Sequence, residues 1–245
     1  MVPHRVAVTL GMVLVLAATT AMLLVRAGQR VAEPDQGFGN RIAYGAGGDE
    51  RAGPSRYPWV GAGSFTVAGD HSPVRGEGGP VARYRVAVEQ DTGQDPATFA
   101  AEVDGVLADP RSWIGTGELR VQRVAEAESA DFTIYLATPL TSEAMCAEGG
   151  LSTEGYTSCR LPGQVIINLA RWLEAVPDYG APLEVYRAYV INHEVGHEFG
   201  EGHEACPAPG DPAPVMQQQT YGLDGCLPNA WPILDGRRHA GELIG

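Results

Sequence analysis

The feature that most constrains this sequence is the eleven-residue stretch His-Glu-Val-Gly-His-Glu-Phe-Gly-Glu-Gly-His at residues 193–203. Residues four apart on a helix share one face, so His193 and His197 can direct imidazole nitrogens at a common point. Gly200 can adopt backbone angles that other residues avoid, which would end the helix and turn the chain back towards that point. The turn would deliver His203 as a third ligand. The stretch therefore predicts a helix, a turn and a metal centre.

The same spacing indicates which metal and which chemistry to expect. Three protein ligands with a fourth tetrahedral position left for water are typical of catalytic zinc, whereas structural zinc has four protein ligands. Glu194 lies next to the histidines, where it can reach such a water without being a ligand itself. We therefore predict that His193, His197 and His203 bind Zn²⁺ as the cofactor. Glu194 is the predicted catalytic general base of a hydrolase.

Two other functions are compatible with these residues. One is a non-catalytic module that keeps zinc for stability or recognises components of the cell envelope. The other is an amidase that acts on a non-peptide amide such as a cell-wall link. The presence of Glu194 favours an enzyme, because a purely structural zinc site has no need of that carboxylate.

The N-terminus indicates where the protein is located. Residues 6–25 carry no charge and are long enough to span a bilayer as a helix of about 30 Å. We expect residues 1–26 to be a signal anchor, with a cleaved signal peptide as the alternative. The catalytic domain would then be extracytoplasmic, on a single-pass membrane protein or in a secreted one. Residues 27–60 are rich in Gly and Pro and predict a stalk, although residues 27–79 could instead act as an inhibitory propeptide.

Net charge limits the partners. The formal charge of −13 argues against nucleic acid and anionic membrane surfaces, both of which need a basic footprint. Contact with the membrane is therefore expected only through the N-terminal helix. No pattern in the sequence indicates an oligomeric state.

The four cysteines fit an oxidising compartment. An even number outside the cytoplasm suggests disulfides, and we expect the local pairs Cys146–Cys159 and Cys206–Cys226, because each closes a short loop. The alternative, that some are zinc ligands, is disfavoured because none has Cys-x-x-Cys spacing.

Residue patterns predict the fold. Apolar alternation or apolar runs indicate strands at residues 64–67, 84–88, 119–124, 132–136 and 165–169, with a possible edge strand at 156–160. Asp95-Pro96 is a helix start, and Pro182 opens the helix that carries the histidines. This order predicts an α/β sandwich with one mixed sheet over residues 61–235, followed by a polar tail at 236–245.

The histidine stretch, followed by Met216, resembles the metzincin group of zinc endopeptidases, in which a methionine-bearing turn lies beneath three histidines. The chain also resembles an actinobacterial family of predicted membrane-anchored or secreted metzincin-like proteins. That second resemblance rests on Arg-Ala-Tyr at 187–189, Pro-Val-Met-Gln-Gln-Gln-Thr at 214–220 and Cys-Leu-Pro-Asn-Ala-Trp-Pro at 226–232.

These resemblances imply a mostly parallel sheet with a backing helix and an active-site helix. They also imply a peptide or protein substrate that lies extended along an edge strand. One departure concerns the astacin branch, whose turn has a tyrosine two residues after the methionine. This chain has Gln218 there and its nearest tyrosine is Tyr221, so Tyr221 is expected to be a surface or cleft residue. Glu198, Glu201 and Glu204 are expected to face solvent or to orient a ligand imidazole.

Overall fold

The computed structural model describes residues 56–244. The predicted anchor at residues 1–26 and most of the predicted stalk at 27–60 lie outside this range. Within it, none of the helices is long and apolar enough to cross a membrane.

A six-stranded sheet forms the centre of the fold. Its strands are β1 (Phe65–Val67), β2 (Val81–Glu89), β3 (Arg120–Arg123), β4 (Phe132–Ala137), β5 (Cys159–Leu161) and β6 (Gln164–Asn168). The order is β1-β2-β4-β6-β5, with β3 paired to the first half of β2. Strands β2, β3, β4 and β6 are parallel, whereas β1 and β5 run antiparallel to their neighbours. The predicted α/β class with a mixed, mostly parallel sheet is confirmed.

Within residues 56–244, four α-helices accompany the sheet: α1 (Pro96–Leu107), α2 (Pro139–Glu148), α3 (Leu169–Glu174) and α4 (Leu183–Glu198). Helix α1 begins as predicted, because the Asp95 carboxylate accepts the Thr98 N–H at 2.8 Å and Pro96 occupies the first turn. A small hairpin, β7 (Ile233–Leu234) and β8 (Arg237–Arg238), follows α4.

The sequence prediction missed the β7–β8 hairpin, whose second strand lies in the predicted polar tail, and it differs from the structure in three further places. Helix α2 was not predicted, nor was α3, and the last predicted strand ends at Asn168 because that side chain accepts the Ala170 N–H and begins α3. The predicted edge strand at 156–160 begins only at Cys159, since residues 154–156 form a turn.

Each face of the sheet packs against different helices. On one face, α1 and α4 cover side chains of β2, β4 and β6 such as Val86, Ile134 and Val165 in the main core. On the other face, α2 packs through Cys146 against a smaller cluster that includes Ile166. Helix α4 packs into the main core through residues such as Val190 and Val195, which holds the helix that carries His193 and His197 in place.

Candidate metal centre

The three histidines of the motif converge on one point. Nε2 of His197 lies 3.2 Å from Nε2 of His193 and 3.1 Å from Nε2 of His203. The first two come from α4, one turn apart. Gly200 has φ of +94°, which ends the helix and turns the chain as the sequence predicts, and His203 follows three residues later.

Hydrogen bonds on the far side of each helical imidazole decide its tautomer. His193 Nδ1 lies 2.8 Å from the carbonyl oxygen of Val215, and His197 Nδ1 lies 2.9 Å from that of Glu201. A carbonyl only accepts, so each Nδ1 carries the proton and each Nε2 presents a lone pair. Lone pairs about 3 Å apart repel one another unless a cation lies between them. The donor set therefore fits a metal ion, and the three-histidine group can bind one.

Burial keeps these imidazoles neutral. Burial, and to a smaller extent the neighbouring His197, lower the pKa of His193 to about 3. Burial also lowers the pKa of His197 and of His203. Neutral imidazole is the form that binds metal, so no proton has to be removed from the ligands near pH 7.

Glu194 lies beside the histidines in the same cleft. It is 6% exposed, and burial raises the pKa of its carboxyl to about 8 in the metal-free protein. A carboxylate placed next to a metal ion and open to a cleft can accept a proton from water.

Met216 is completely buried, and its sulfur packs against α4 at Gly196. The loop that carries it is tied down by Gln219, whose amide donates to the carbonyls of Pro214 and Asn229 at 3.2 and 2.7 Å. Asn229 in turn donates to the Ala213 carbonyl at 2.8 Å. These bonds fix the Val215 carbonyl that orients His193, which explains why the segments 214–220 and 226–232 belong to one site.

A cleft of about 530 Å³ opens over the histidines. Besides α4, its lining comes from residues 151–153, 157–160 and 200–203 and from Gln218, Thr220 and Tyr221. Tyr221 is 65% exposed at the rim, with its ring centroid 6.4 Å from that of Tyr156. It is a cleft tyrosine, as expected from the sequence.

Residues 52–230 match the family described as "Protein of unknown function (DUF3152)". The chain belongs to this family. No curated protein and no solved structure matches the chain. The matched residues include the three histidines, Glu194 and Met216, and they end before the β7–β8 hairpin.

The three acidic residues near the motif have separate contacts. Glu198 accepts from Arg160 Nε at 2.5 Å, which ties α4 to β5. Glu201 orients His197 through its backbone carbonyl rather than through its carboxylate. Glu204 is buried and forms an ion pair with Arg238 at 2.8 Å.

Arg160 and Arg238 were not predicted from the sequence. Arg160 could have been found, because it alternates with the inward-facing Cys159 and Leu161 on a predicted edge strand. No sequence pattern indicates a role for Arg238, because it lies at residues 236–245, which the sequence predicts to be a polar tail.

Proposed function

We propose that this chain is an extracytoplasmic zinc-dependent hydrolase, and specifically a metallopeptidase of the metzincin type. The observation that carries the proposal is the convergence of three imidazoles in a cleft that also contains Glu194, with His197 Nε2 3.2 Å from Nε2 of His193 and 3.1 Å from Nε2 of His203. Borderline-soft zinc suits three neutral imidazoles, and a site with three protein ligands leaves a position for a reacting molecule.

Glu194 performs the proton transfers in this proposal. Zinc, when bound, supplies Lewis acidity that polarises a carbonyl and makes water more acidic. The Glu194 carboxylate takes a proton from a water molecule, and the oxygen of that water attacks the carbonyl carbon of the substrate. The carboxyl group then gives that proton to the leaving amine nitrogen as the C–N bond breaks. Because Glu194 is buried, few other water molecules compete for its carboxylate.

The edge strand β5 supports a peptide as the substrate. In the described part of the chain β5 is the last strand of the sheet, bonded to β6 on its inner side. Residues 157–160 line the cleft beside the histidines. An extended peptide can pair with the outer side of such a strand through backbone hydrogen bonds.

The two disulfides support an extracytoplasmic location. Cys146 pairs with Cys159 and Cys206 with Cys226, which confirms the local pairing predicted from the sequence. Disulfides form and persist in oxidising compartments. We propose that residues 6–25 export the domain and anchor it to the membrane.

Full-length protein loaded with zinc, assayed on a diverse peptide library beside Glu194→Gln, tests this function. The substitution nearly preserves side-chain volume and leaves all three histidines in place. Zinc content and melting temperature should stay close to wild type, while hydrolysis should fall by about 10² or more. Zinc-loaded wild type that cleaves neither peptides nor simple amides would refute the hydrolase. Equal turnover by Glu194→Gln would place the chemistry elsewhere.

A further inference from the structure

His203 is the only one of the three histidines that no helix holds. It follows the turn at Gly200, and its position depends on how the backbone around it is fixed. The C-terminal segment makes two of the bonds that fix it. The Ile244 N–H donates to the His203 carbonyl at 2.9 Å, and the Ala205 N–H donates to the Glu242 carbonyl at 2.8 Å.

The residue between these two bonds is held as well. The Glu204 N–H donates to the Met216 carbonyl at 3.1 Å, and Glu204 and Leu243 form an antiparallel bridge. The loop after the turn is thus bonded on one side to the methionine-bearing segment and on the other to the chain's C-terminal segment. Residues 203–205 therefore have little freedom to move.

An ion pair secures the same loop through its side chains. The guanidinium of Arg238 lies 2.8 Å from the Glu204 carboxylate and 3.3 Å from that of Glu201. It also lies 5.1 Å from the ring centroid of Trp113, whose Nε1–H donates to the Asn192 carbonyl on α4 at 2.9 Å. Arg238 consequently contacts both the loop that carries His203 and the tryptophan bonded to the helix that carries His193.

The close approach of the two segments depends on glycine. A β-carbon at Gly241 would lie 2.1 Å from the Ala205 carbonyl oxygen. That distance is too short for any β-carbon, so the C-terminal segment can lie against the loop at residues 203–205 only with glycine at position 241.

We propose that residues 238–244, which we call the C-terminal clamp, hold His203 in its metal-binding position. Arg238 and the Ile244 N–H are the positioning groups. The clamp lies beyond residues 52–230, the part that matches the family. This inference rests on the metal centre of the proposed function but not on hydrolysis, and its effect is on metal affinity.

The first test removes a single N–H group. Ile244→Pro deletes the donor to His203, whereas the matched control Ile244→Ala shortens the same half-exposed side chain and keeps the donor. The zinc dissociation constant of each full-length variant is measured by competition with a chelator, together with the melting temperature of the metal-free protein. Loss of a group that orients a ligand typically weakens metal binding by about 10–100-fold. We expect that loss for proline and less than about a twofold change for alanine.

A second pair of variants decides the matter if Ile244→Pro fails to fold. Arg238→Gln removes the ion pair with Glu204, and Arg237→Gln is the control at its exposed neighbour. Zinc binding about tenfold weaker for Arg238→Gln than for Arg237→Gln supports the clamp. Equal zinc affinities within either pair of folded variants overturn it, even if the metal-free melting temperatures differ, because the segment would then be only structural.

These outcomes are distinct from failure of the proposed function. Wild type that binds zinc but hydrolyses nothing removes the peptidase and leaves the comparison of zinc affinities valid. Wild type that binds no zinc overturns both.

Discussion

The sulfur of Met216 lies 2.5 Å from the point at which residue 196 would carry a β-carbon, so Gly196 and Met216 fit together only because glycine has none. The Trp113 ring reaches the same point at 2.6 Å. Gly196 lies between His193 and His197 in the sequence of α4, so the sulfur and the indole pack against the helical turn that carries both ligands. The histidine spacing itself leaves position 196 open to any residue. Packing, rather than metal chemistry, requires the glycine.

Gly196→Ala should therefore damage both the fold and the site. Neither contact can retreat easily, because Met216 is completely buried and Trp113 is 5% exposed. We expect a loss of about 1–3 kcal/mol in the free energy of unfolding of the metal-free protein. Zinc should also bind more weakly, since α4 must shift. Denaturant unfolding and chelator competition measure the two effects.

Gly105→Ala is the matched control for this substitution. Gly105 is an exposed residue of helix α1, and a β-carbon there meets nothing within 4 Å. Alanine is expected to stabilise this position by about 0.5–1 kcal/mol, because it is the better helix former. If the two alanine variants changed stability by the same amount and sign, the packing argument would be wrong.

Periodic sequence patterns predicted the helices and strands whose apolar residues recur at helix or strand spacing. Strand β2 and helices α1 and α4 carry apolar residues at regular strand or helix spacing, so their positions could be read directly. Helix α2 has only a weak apolar face, since Leu140 is exposed and Ser142 is buried. Its start carries the same signal as α1, a capping-type residue followed by proline at Thr138-Pro139, and this signal could have identified it.

The candidate site was predictable to the extent that local spacing determines it. The histidines, Glu194 and the turn at Gly200 all follow from one short motif. The groups that orient the histidines do not, because the Val215 and Glu201 carbonyls are backbone atoms that any residue type could supply. Arg238 and Glu204 are 34 residues apart in the chain, and no sequence pattern indicates that they are in contact.

Metal binding by the three histidines predicts the behaviour of His197→Ala. His197 Nε2 lies within 3.2 Å of each of the other two ligand nitrogens. Its loss leaves only two donors and should reduce bound zinc to well below one ion per chain at neutral pH. His71→Ala is the control, because that imidazole is half-exposed and pairs with Glu126. Metal analysis after dialysis provides the measurement. Full zinc content in His197→Ala would contradict the ligand set.

Stability in acid should report on Glu143, which holds the cleft segment 151–153 against α2. Its carboxylate accepts from the Thr153 hydroxyl at 2.5 Å and from the Thr153 N–H at 2.8 Å. Both bonds lower the pKa of Glu143 in the folded protein, and the bond from the Thr153 hydroxyl has the larger effect. The stabilisation is therefore complete above the unfolded-state pKa and is lost as pH falls through the lowered folded-state pKa.

The comparison of wild type with Glu143→Gln isolates this contribution. The carboxylate is partly exposed to solvent, so the wild type should be more stable by less than about 1 kcal/mol at pH 7, and the difference should disappear in strong acid. Glu148→Gln, at an exposed position on the same helix, is the control substitution. Unfolding curves recorded across the acid range measure both. A difference that does not depend on pH would mean that the charge of Glu143 contributes nothing.

The two disulfides should differ in their effect on the metal centre. The Cys206–Cys226 loop encloses the Val215 carbonyl that orients His193, together with Met216. Replacement of Cys206 and Cys226 by serine should lower the free energy of unfolding by about 2–4 kcal/mol and also weaken zinc binding.

Replacement of Cys146 and Cys159 by serine provides the comparison. That bridge closes a 13-residue separation that includes cleft-lining residues but no metal ligand or partner of one. Stability should fall by a similar amount, while zinc affinity should stay near the wild-type value, because every group that orients the histidines remains in place. Peptide mapping without reductant verifies the pairs, and chelator competition measures the affinities. Equal loss of zinc affinity in the two double variants would show that general loosening of the domain, and not the loop that carries Val215, governs the metal centre.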